Sequence, residues 1–452
     1  VNVSDLPEIA ARLTGRAGDG EEIEVIVGRS TATSVRVHDG EVESFSVAES
    51  HGVGVRLVAD RREGFAHAGS FDPAIIDSLV VEARDNAAHA EIDERVGLAE
   101  PDGHEMAELD RVDPGVAALS ADAKMDMALR LEERILAADP RVRGVRTSVY
   151  EDVRSERFIT NSLGLSARSA ATRTSLASNA MIDDTDGGTR TGAATEAARG
   201  PSGVDPDRVA RLAVERGLRL LGARPPRTGR VTVVLEPRFA SVLAGIVGGM
   251  LSGERVFKGR TPFADRLGQP IAASVVDLTD DPTDGEGLGA APFDGEALAT
   301  RAVPLISGGV LSAHLHDSRS ARGLGATSTG SALRGVRSTP SPGHRALKLA
   351  PGSGDLESLI AGVDDGLWVQ SFQGIHSGVN AVSGDLSVGV EGVRIRGGRL
   401  SEPVREATLA GAIPRLLFDV TAVGADQEWL PSGNLMPSIV VEGLTLAGTG
   451  PT

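Results

Sequence analysis

Apolar and polar residues alternate with a period of two along most of this chain, and a helical period takes over only in short stretches. Between residues 22 and 69 the runs "EIEVIVG", "TSVRVHDGEVESFSV", "GVGVRLVAD" and "REGFAHAG" follow one another. Asp39-Gly40 falls between two such runs and is the dipeptide a two-residue hairpin favours, so this part reads as a curled antiparallel meander. Ahead of it, Ser4 is placed to cap a first helix through about Leu13, with Pro7 in its opening turn. A second helix is expected over about 73–88, then a polar connection to about residue 119. Another helix starts at Ser120 and is stopped by Pro140. Strand-like runs fill about 142–182, so the first half reads as two successive strand-and-helix layers.

The segment "DDTDGGTRTGAATEAARGPSG" (183–203) has the composition of a loop. A helix over about 205–221 then leads to Pro225 and Pro226, a natural boundary. Strand patterns dominate beyond it: "VTVVLEP", "ATRAVPLISGGVLSAHLH", "GLWVQSF", "SVGVEGVRIRGGRLSEPV" and "PSIVVEGLTLAG". Gly308-Gly309 and Gly397-Gly398 each join two alternating runs as a hairpin turn would. The expected fold is α+β in two domains. Residues 1–224 form an N-terminal α+β domain with an antiparallel meander and helices, and residues 225–452 a mainly antiparallel β domain with a buried Gly-rich helix.

That helix, "SVLAGIVGGMLSG" (241–253), breaks the pattern of the second half. Phe239, Val242, Leu243, Ile246, Val247, Met250 and Leu251 recur at three-and-four spacing and make one core face. Ala240, Ser241, Ala244, Gly245, Gly248, Gly249, Ser252 and Gly253 make the other, where a solvent-facing helix would carry charge. Each interior glycine costs about 1 kcal/mol relative to alanine. The compensation is either close approach by a backbone, substrate or partner, or burial of the whole helix between layers.

Composition narrows the function. With 452 residues and 40% hydrophobic content the chain can bury real cores. A net charge of -17 and 3% aromatics argue against nucleic acid and anionic membranes as partners. The absence of cysteine excludes disulfides, thiol nucleophiles and thiolate metal sites. The opening residues lack the basic and apolar regions of a secretory signal, and no run of about 18 apolar residues occurs, so a cytoplasmic protein is expected.

Candidate chemistry is sparse. His314 and His316 are two apart and would share one strand face, with His344, His376 or Asp317 as a third metal ligand; hydrogen-bonding roles near the surface are the expected alternative. Asp280, Asp281, Asp284 and Glu286 lack EF-hand spacing and read as a solvated acidic turn. Gly285, Gly287 and Ala290 mimic a dinucleotide fingerprint without the preceding strand. Arg56 and His67 alternate on the meander and are not nominated as site residues. No nucleophile elbow or phosphate loop is present, and no catalytic, cofactor or metal residue is assigned to this chain.

Three stretches together carry a resemblance: "GVGVRLVADRREGFAHAG" (52–69), residues 287–330 and residues 378–411, followed by the closing "PSIVVEGLTLAG". They resemble the TldD/PmbA family. The resemblance implies a two-domain α+β fold and a heterodimer of a TldD-like zinc peptidase, bearing an HExxxH helix, with a TldE-like (PmbA-like) subunit lacking it. Such a pair degrades unfolded peptides threaded into an internal chamber. Lining up the helices sets the first His on Ala244, the Glu on Gly245 and the second His on Gly249, so these are degenerate zinc-helix positions. The cysteine ligand of some TldD-like members has no counterpart, and "EWLPSGNLMP" occupies that region. The resemblance therefore implies a subunit without its own cofactor, with zinc in the TldD-like partner and an extended peptide as substrate. Alternatives are a specialised pair processing one peptide-like biosynthetic precursor, a non-enzymatic regulator of the gyrase-modulator kind, and an independent metal hydrolase using His314 and His316.

Overall fold

The computed structural model describes residues 5–450. Its first half runs α1 (Leu6–Thr14), β1 (Glu21–His38), β2 (Glu41–Ala59), β3 (Arg62–Ala68), α2 (Pro73–His89), α3 (Gly115–Ala118), α4 (Ala121–Ala138), β4 (Val142–Asn161), β5 (Ser166–Asp183), β6 (Thr189–Ala198) and α5 (Pro206–Leu218). The expected Ser4 cap lies outside the described residues; Asp5 is the N-cap and makes no side-chain capping bond. Ser120 caps α4 as expected, accepting from the Ala123 amide. Asp39 (φ 53°) and Gly40 (φ 76°) make the anticipated hairpin turn between β1 and β2.

The two anticipated layers are one sheet. Strand order is β3-β2-β1-β4-β5-β6, because β1 and β4 pair antiparallel along most of their length and fuse the two meanders back to back. Strand β1 feeds two cores from the same face. Val25 and Val27 pack under α1 and α2, and Val35 and Val37 under α4 and α5. The loop expected over 183–203 is corrected over Thr189–Ala198, which is strand β6, paired with β5. Its inward positions include Gly192 and Ala194, and their small size, which resembles loop composition, is what lets α5 lie close. A Cβ on Gly192 would come within 2.0 Å of the Ala213 carbonyl oxygen of α5. The first meander repeats this contact: a Cβ on Gly64 of β3 would lie 1.8 Å from the Ala83 carbonyl oxygen of α2.

The second half runs β7 (Gly229–Leu235), α6 (Pro237–Met250), α7 (Gly253–Phe257), β8 (Leu278–Asp280), β9 (Val303–Ser307), β10 (Val310–Leu311), α8 (Ser318–Leu324), β11 (Ala332–Leu333), β12 (Ser341–Pro342) and β13 (Leu347–Leu349). It continues with α9 (Leu356–Ala361), β14 (Asp365–Gln373), α10 (Ile375–Gly378), β15 (Asp385–Arg396), β16 (Arg399–Ala412), α11 (Ile413–Phe418), β17 (Val420–Val423), β18 (Glu428–Trp429), β19 (Leu435–Met436) and β20 (Ile439–Ala447). One sheet has the order β16-β15-β14-β7-β20-β17, and β16 also pairs with β20, so its strands close into a barrel. All its pairings are antiparallel except β14 with β7. A second sheet, β10-β9-β8-β13-β19-β18, stands beside it. The Gly-Gly turns at 308–309 and 397–398 are both present with positive φ. The fold is thus mixed α+β with antiparallel sheets.

The sheet face away from α1, α2, α4 and α5 meets the second half. Arg56 and Glu24 on that face are buried, as are Glu296 and the Arg334 side chain from the other half. Arg56 lies 3.5 Å from Glu24, 3.0 Å from Glu63 and 3.7 Å from Glu296. Arg334 also pairs with Glu24. The polar connection after α2 runs over the second half, where Asp93 pairs with Arg319 (2.6 Å) and Arg95 with Glu254 (3.2 Å). Burial, joined by the charge of Asp294, pushes the Glu296 carboxyl up to about 8.

Two measurements follow. Gly64→Ala and Gly192→Ala should each destabilise the protein by about 1–3 kcal/mol, because the contacting atoms are helix backbone; chemical denaturation showing no loss in either would refute the close-packing account. The second concerns Glu296. As pH rises from about 4.5 to 8 the unfolded carboxyl ionises while the folded one holds its proton, so its contribution to stability falls across that window. Glu296→Gln cannot ionise, and its stability relative to the parent should rise between pH 5 and pH 8. A pH-independent difference between the two proteins would contradict this.

Candidate functional site

Helix α6 begins immediately after β7, with Pro237 in its first turn. Its apolar side faces the barrel: Val242, Leu243 and Ile246 border a small apolar cavity with Leu235, Val388 and Leu444. Phe239, Val247, Met250 and Leu251 complete the packing. On the small side Ala240, Ser241 and Gly248 are buried, while Ala244, Gly245 and Gly249 are half-buried. Neither compensation anticipated for the glycines is met in full: the helix is only partly buried, and the close neighbour is a side chain. The helix lies between the barrel and the β13–β19 side of the second sheet, and one neighbour approaches too closely for a Cβ. That neighbour is His344: a Cβ on Gly248 would meet its ring at 2.7 Å, whereas one on Gly245 would meet it only at 3.9 Å. A Cβ on Gly249 would meet nothing within 4 Å.

The segment "EWLPSGNLMP" (428–437) reaches the same helix. Asn434 Nδ2 donates to Ser241 Oγ at 2.9 Å, and Ser432 Oγ lies 3.1 Å from Ser241 Oγ. Asn434 Oδ1 accepts from the Leu347 amide, tying β13 to the same point. The loop is turned back by Gly433 at φ 87°. Neither Ser432 nor Asn434 is distinguishable by sequence pattern from other polar loop residues. Their importance appears only once β19 is placed against α6.

His314 and His316 are brought together, with ring centroids 6.2 Å apart and nearly perpendicular. They are not on a regular strand, since Leu315 between them makes a single parallel bridge to Ser252 after α6. The expectation of near-surface histidines is corrected, as both are buried. Burial pushes the His316 imidazole down to about 4, with the neighbouring His314 adding to the shift, and burial lowers His314 as well. His316 Nδ1 lies 3.3 Å from Ser320 Oγ, and its ring fills the space beside Gly253. The proposed third ligands go elsewhere. Asp317 caps α8 through the Ser320 amide, His376 is exposed on α10, and His344 is over α6.

The acidic turn also departs from expectation, because it is largely engaged rather than solvated. Asp280 is buried and accepts from the Arg345 and Ala346 amides at 2.9 and 2.7 Å. Asp281 and Asp284 both pair with Lys348. Glu286 remains exposed. Arg56, not nominated from sequence, belongs to the buried seam, and His67 is exposed beside Phe65.

A metal has little to bind on α6. Ala244, Gly245 and Gly249 carry no donor atoms in their side chains, and the nearby Ser241, Ser432 and Asn434 offer neutral oxygens already hydrogen-bonded to one another or to backbone. Burial lowers the His344 pKa against opposing effects of Asp280 and a hydrogen bond with the Gly245 backbone. Among the described residues no group of three His, Asp or Glu is arranged to hold a metal ion. Nor is any helix among them long and apolar enough to cross a membrane. The donor set around α6 thus does not fit a zinc ion.

Comparison with known proteins agrees with the geometry of the fold. Residues 23–87, 114–221 and 228–448 match the profiles of PmbA/TldA metallopeptidase domain 1, central domain and C-terminal domain. The chain is 28% identical over 423 residues to metalloprotease PmbA of Escherichia coli O157:H7, covering 93% of this chain and 91% of that one. A solved structure from Thermotoga maritima MSB8, designated a candidate modulator of a DNA gyrase, superposes with a TM-score of 0.89 at 27% identity over 98% of this chain and all (100%) of that one. The structure of TldE from Thermococcus kodakarensis shares the fold, with a TM-score of 0.88 at 24% identity over 98% of this chain and 100% of that one. The chain therefore belongs to the PmbA/TldD metallopeptidase family.

Proposed function

We propose that this chain is the TldE-like, non-metal-binding subunit of a TldD/TldE-type zinc metallopeptidase. It closes a chamber over the zinc site of a TldD-like partner and helps hold an unfolded, extended peptide there. The observation carrying this reading is the chemistry of one helical face: Ala244, Gly245 and Gly249 provide no ligand or base, and beside them stand neutral hydroxyl and amide groups and the single imidazole of His344. A zinc-activated water requires about three protein ligands and a base, and this face lacks them. Helix α6 packs between barrel and second sheet, a position that would suit a helix facing a chamber.

A second feature suits the holding task. Strand β3 pairs with β2 only over Val53–Ala59, so the outer edge of β2 from Glu41 to Gly52 has no strand partner among the described residues. Main-chain hydrogen bonding at such an edge can grip an extended peptide without reading its sequence. The proposal includes a division into two units near Pro225, residues 1–224 and 225–452, and action in the cytoplasm.

Purified alone, the chain should bind less than stoichiometric zinc and leave an unfolded peptide intact; mixed with its HExxxH partner it should form a heterodimer that cleaves the peptide. One equivalent of tightly held zinc together with cleavage by the isolated chain would overturn the reading. A complementary gain-of-ligand variant combines Ala244→His, Gly245→Glu and Gly249→His. A Cβ at Gly245 or Gly249 meets no close contact, and zinc affinity by calorimetry should rise about tenfold or more. No gain in a folded triple variant would mean α6 is not placed as the zinc helix of a relative.

A further inference from the structure

Buried arginines in this protein are, as a rule, neutralised. Arg56 meets Glu24 and Glu63, Arg334 meets Glu24, and Arg190 meets Asp184. One half-buried group is different. Arg111, Arg157, Arg199 and Arg345 gather around the loop from Gly285 to Gly295, and among the described residues none forms an ion pair with a carboxylate within 4.0 Å. Arg157 donates to the Phe293 carbonyl (3.1 Å) and lies over its ring, and Arg199 donates to the Gly285 and Gly287 carbonyls. The Arg345 backbone presses against Gly289, while its guanidinium donates to the Ala332 carbonyl. Arg111 is brought alongside by β5: its carbonyl accepts from the Thr172 amide, and Thr172 Oγ1 donates to the Arg199 carbonyl at 2.8 Å.

The nearby Asp294 and Asp280 partly offset the charge of Arg345, and Asp294 that of Arg157, without an ion pair within 4.0 Å, and their oxygens accept from backbone amides. Asp294 accepts from the amides of Glu296, Leu298 and Ala332, Asp280 from those of Arg345 and Ala346, and Asp113 from that of Gly115. Glu108, Asp110 and Glu286 border the open cleft beside Arg199 without reaching ion-pair distance of the cluster. Arg345 Nε is buried with no hydrogen-bond partner. Burial, reinforced by the charges of Arg345 and Arg199, pushes the Arg111 guanidinium down to about 10; burial with Arg345 and Arg111 pushes Arg157 down to about 9. Four like charges gathered where water only partly reaches them repel one another, and an anion would relieve that repulsion.

We infer that Arg111, Arg157, Arg199 and Arg345 form an oxyanion-binding site, taking a carboxylate or a phosphoryl group at the seam between the N-terminal sheet and the loop from Gly285 to Gly295. Guanidinium groups offer planar, paired donors that match either group. All four residues are half-buried, so the site is neither sealed nor fully screened by water. Arg199, alone of the four, borders a cleft of about 480 Å³ that Glu108, Asp110, Asp113 and Glu286 also line. Arg345 directly follows His344, which packs on α6, so a bound oxyanion would sit next to the candidate site without depending on it.

The test uses the full chain alone, at low ionic strength, so it is independent of any peptidase partner. Calorimetry and thermal unfolding are followed with inorganic phosphate, with a short free-acid peptide and with the same peptide amidated at its C-terminus, against chloride. Saturable one-to-one binding with a Kd of about 1 mM or tighter is expected. Binding of phosphate alone identifies a phosphoryl site; binding of the free acid but not the amide identifies a site for a peptide carboxyl terminus. Arg111→Gln removes a side chain with no hydrogen bond of its own to the fold and should weaken binding about tenfold, with Arg111→Lys recovering part of it. Absence of saturable binding to the parent chain, or unchanged affinity in a folded Arg111→Gln protein, overturns the proposal.

Discussion

An ionised group taken out of water must meet an opposite charge, and this protein satisfies that demand across its central seam. Glu24, on the first strand of the sheet, is shared by Arg56 from the neighbouring strand and Arg334 from the far half of the chain. Sliding the halves apart by a few ångströms would strand buried charges on both sides. The same seam brings Val336 so close to Gly52 and Gly54 that no side chain fits at either glycine without movement. Charge pairing and close backbone approach therefore act together to hold the sheet in one position on the second half. The loops carrying Glu296, Arg334 and Arg345 are fixed by that position, and Arg345 directly follows the residue that covers α6.

Much of this architecture was legible where a local signal has one physical meaning. Asp39-Gly40 and the two Gly-Gly pairs demand positive φ, and each became a hairpin turn. The two faces of α6 followed from helical periodicity. Other features depended on distant partners. Strand β6 resembles a loop because its inward side chains are nearly absent, which has meaning only once α5 is known to lie on them. His314 and His316 were read as surface residues because nothing local distinguishes a buried imidazole from an exposed one; the bridge from Leu315 to Ser252 is what draws them inward. Ser432 and Asn434 lie about 190 residues from Ser241 along the chain (191 and 193), a separation across which no spacing rule operates.

The sheet half also shows a symmetry of construction. In each meander a helix precedes three antiparallel strands and another follows them, and the outermost strand receives that last helix through a glycine. Gly64 faces Ala83 and Ala87, and Gly192 faces Ala213 and Gly217. Both pairs on the helices are four residues apart, so one face of small residues meets one glycine in each case. The two units join through their first strands, β1 and β4, leaving outer strands β3 and β6 at opposite edges. Similar local packing thus recurs although the two glycine-bearing strands, "REGFAHA" and "TRTGAATEAA", share little sequence.

The barrel imposes an order of assembly on everything inside it. Strand β7 is made early in the second half, yet its neighbours are β14, which begins at Asp365, and β20, which begins at Ile439. Helix α6, strands β8 to β13 and the loops bearing Arg334 and Arg345 lie in the chain between β7 and β14, while β18 and β19 of the second sheet come only after β14. During synthesis α6 emerges long before the strands that will cover its apolar face, so that face must wait, exposed, for about 200 residues of further chain to be made. Folding of this half is consequently governed by loop closure over long distances rather than by helix formation. The helix whose small face draws attention in the finished structure is also the segment most in need of protection while the chain is incomplete.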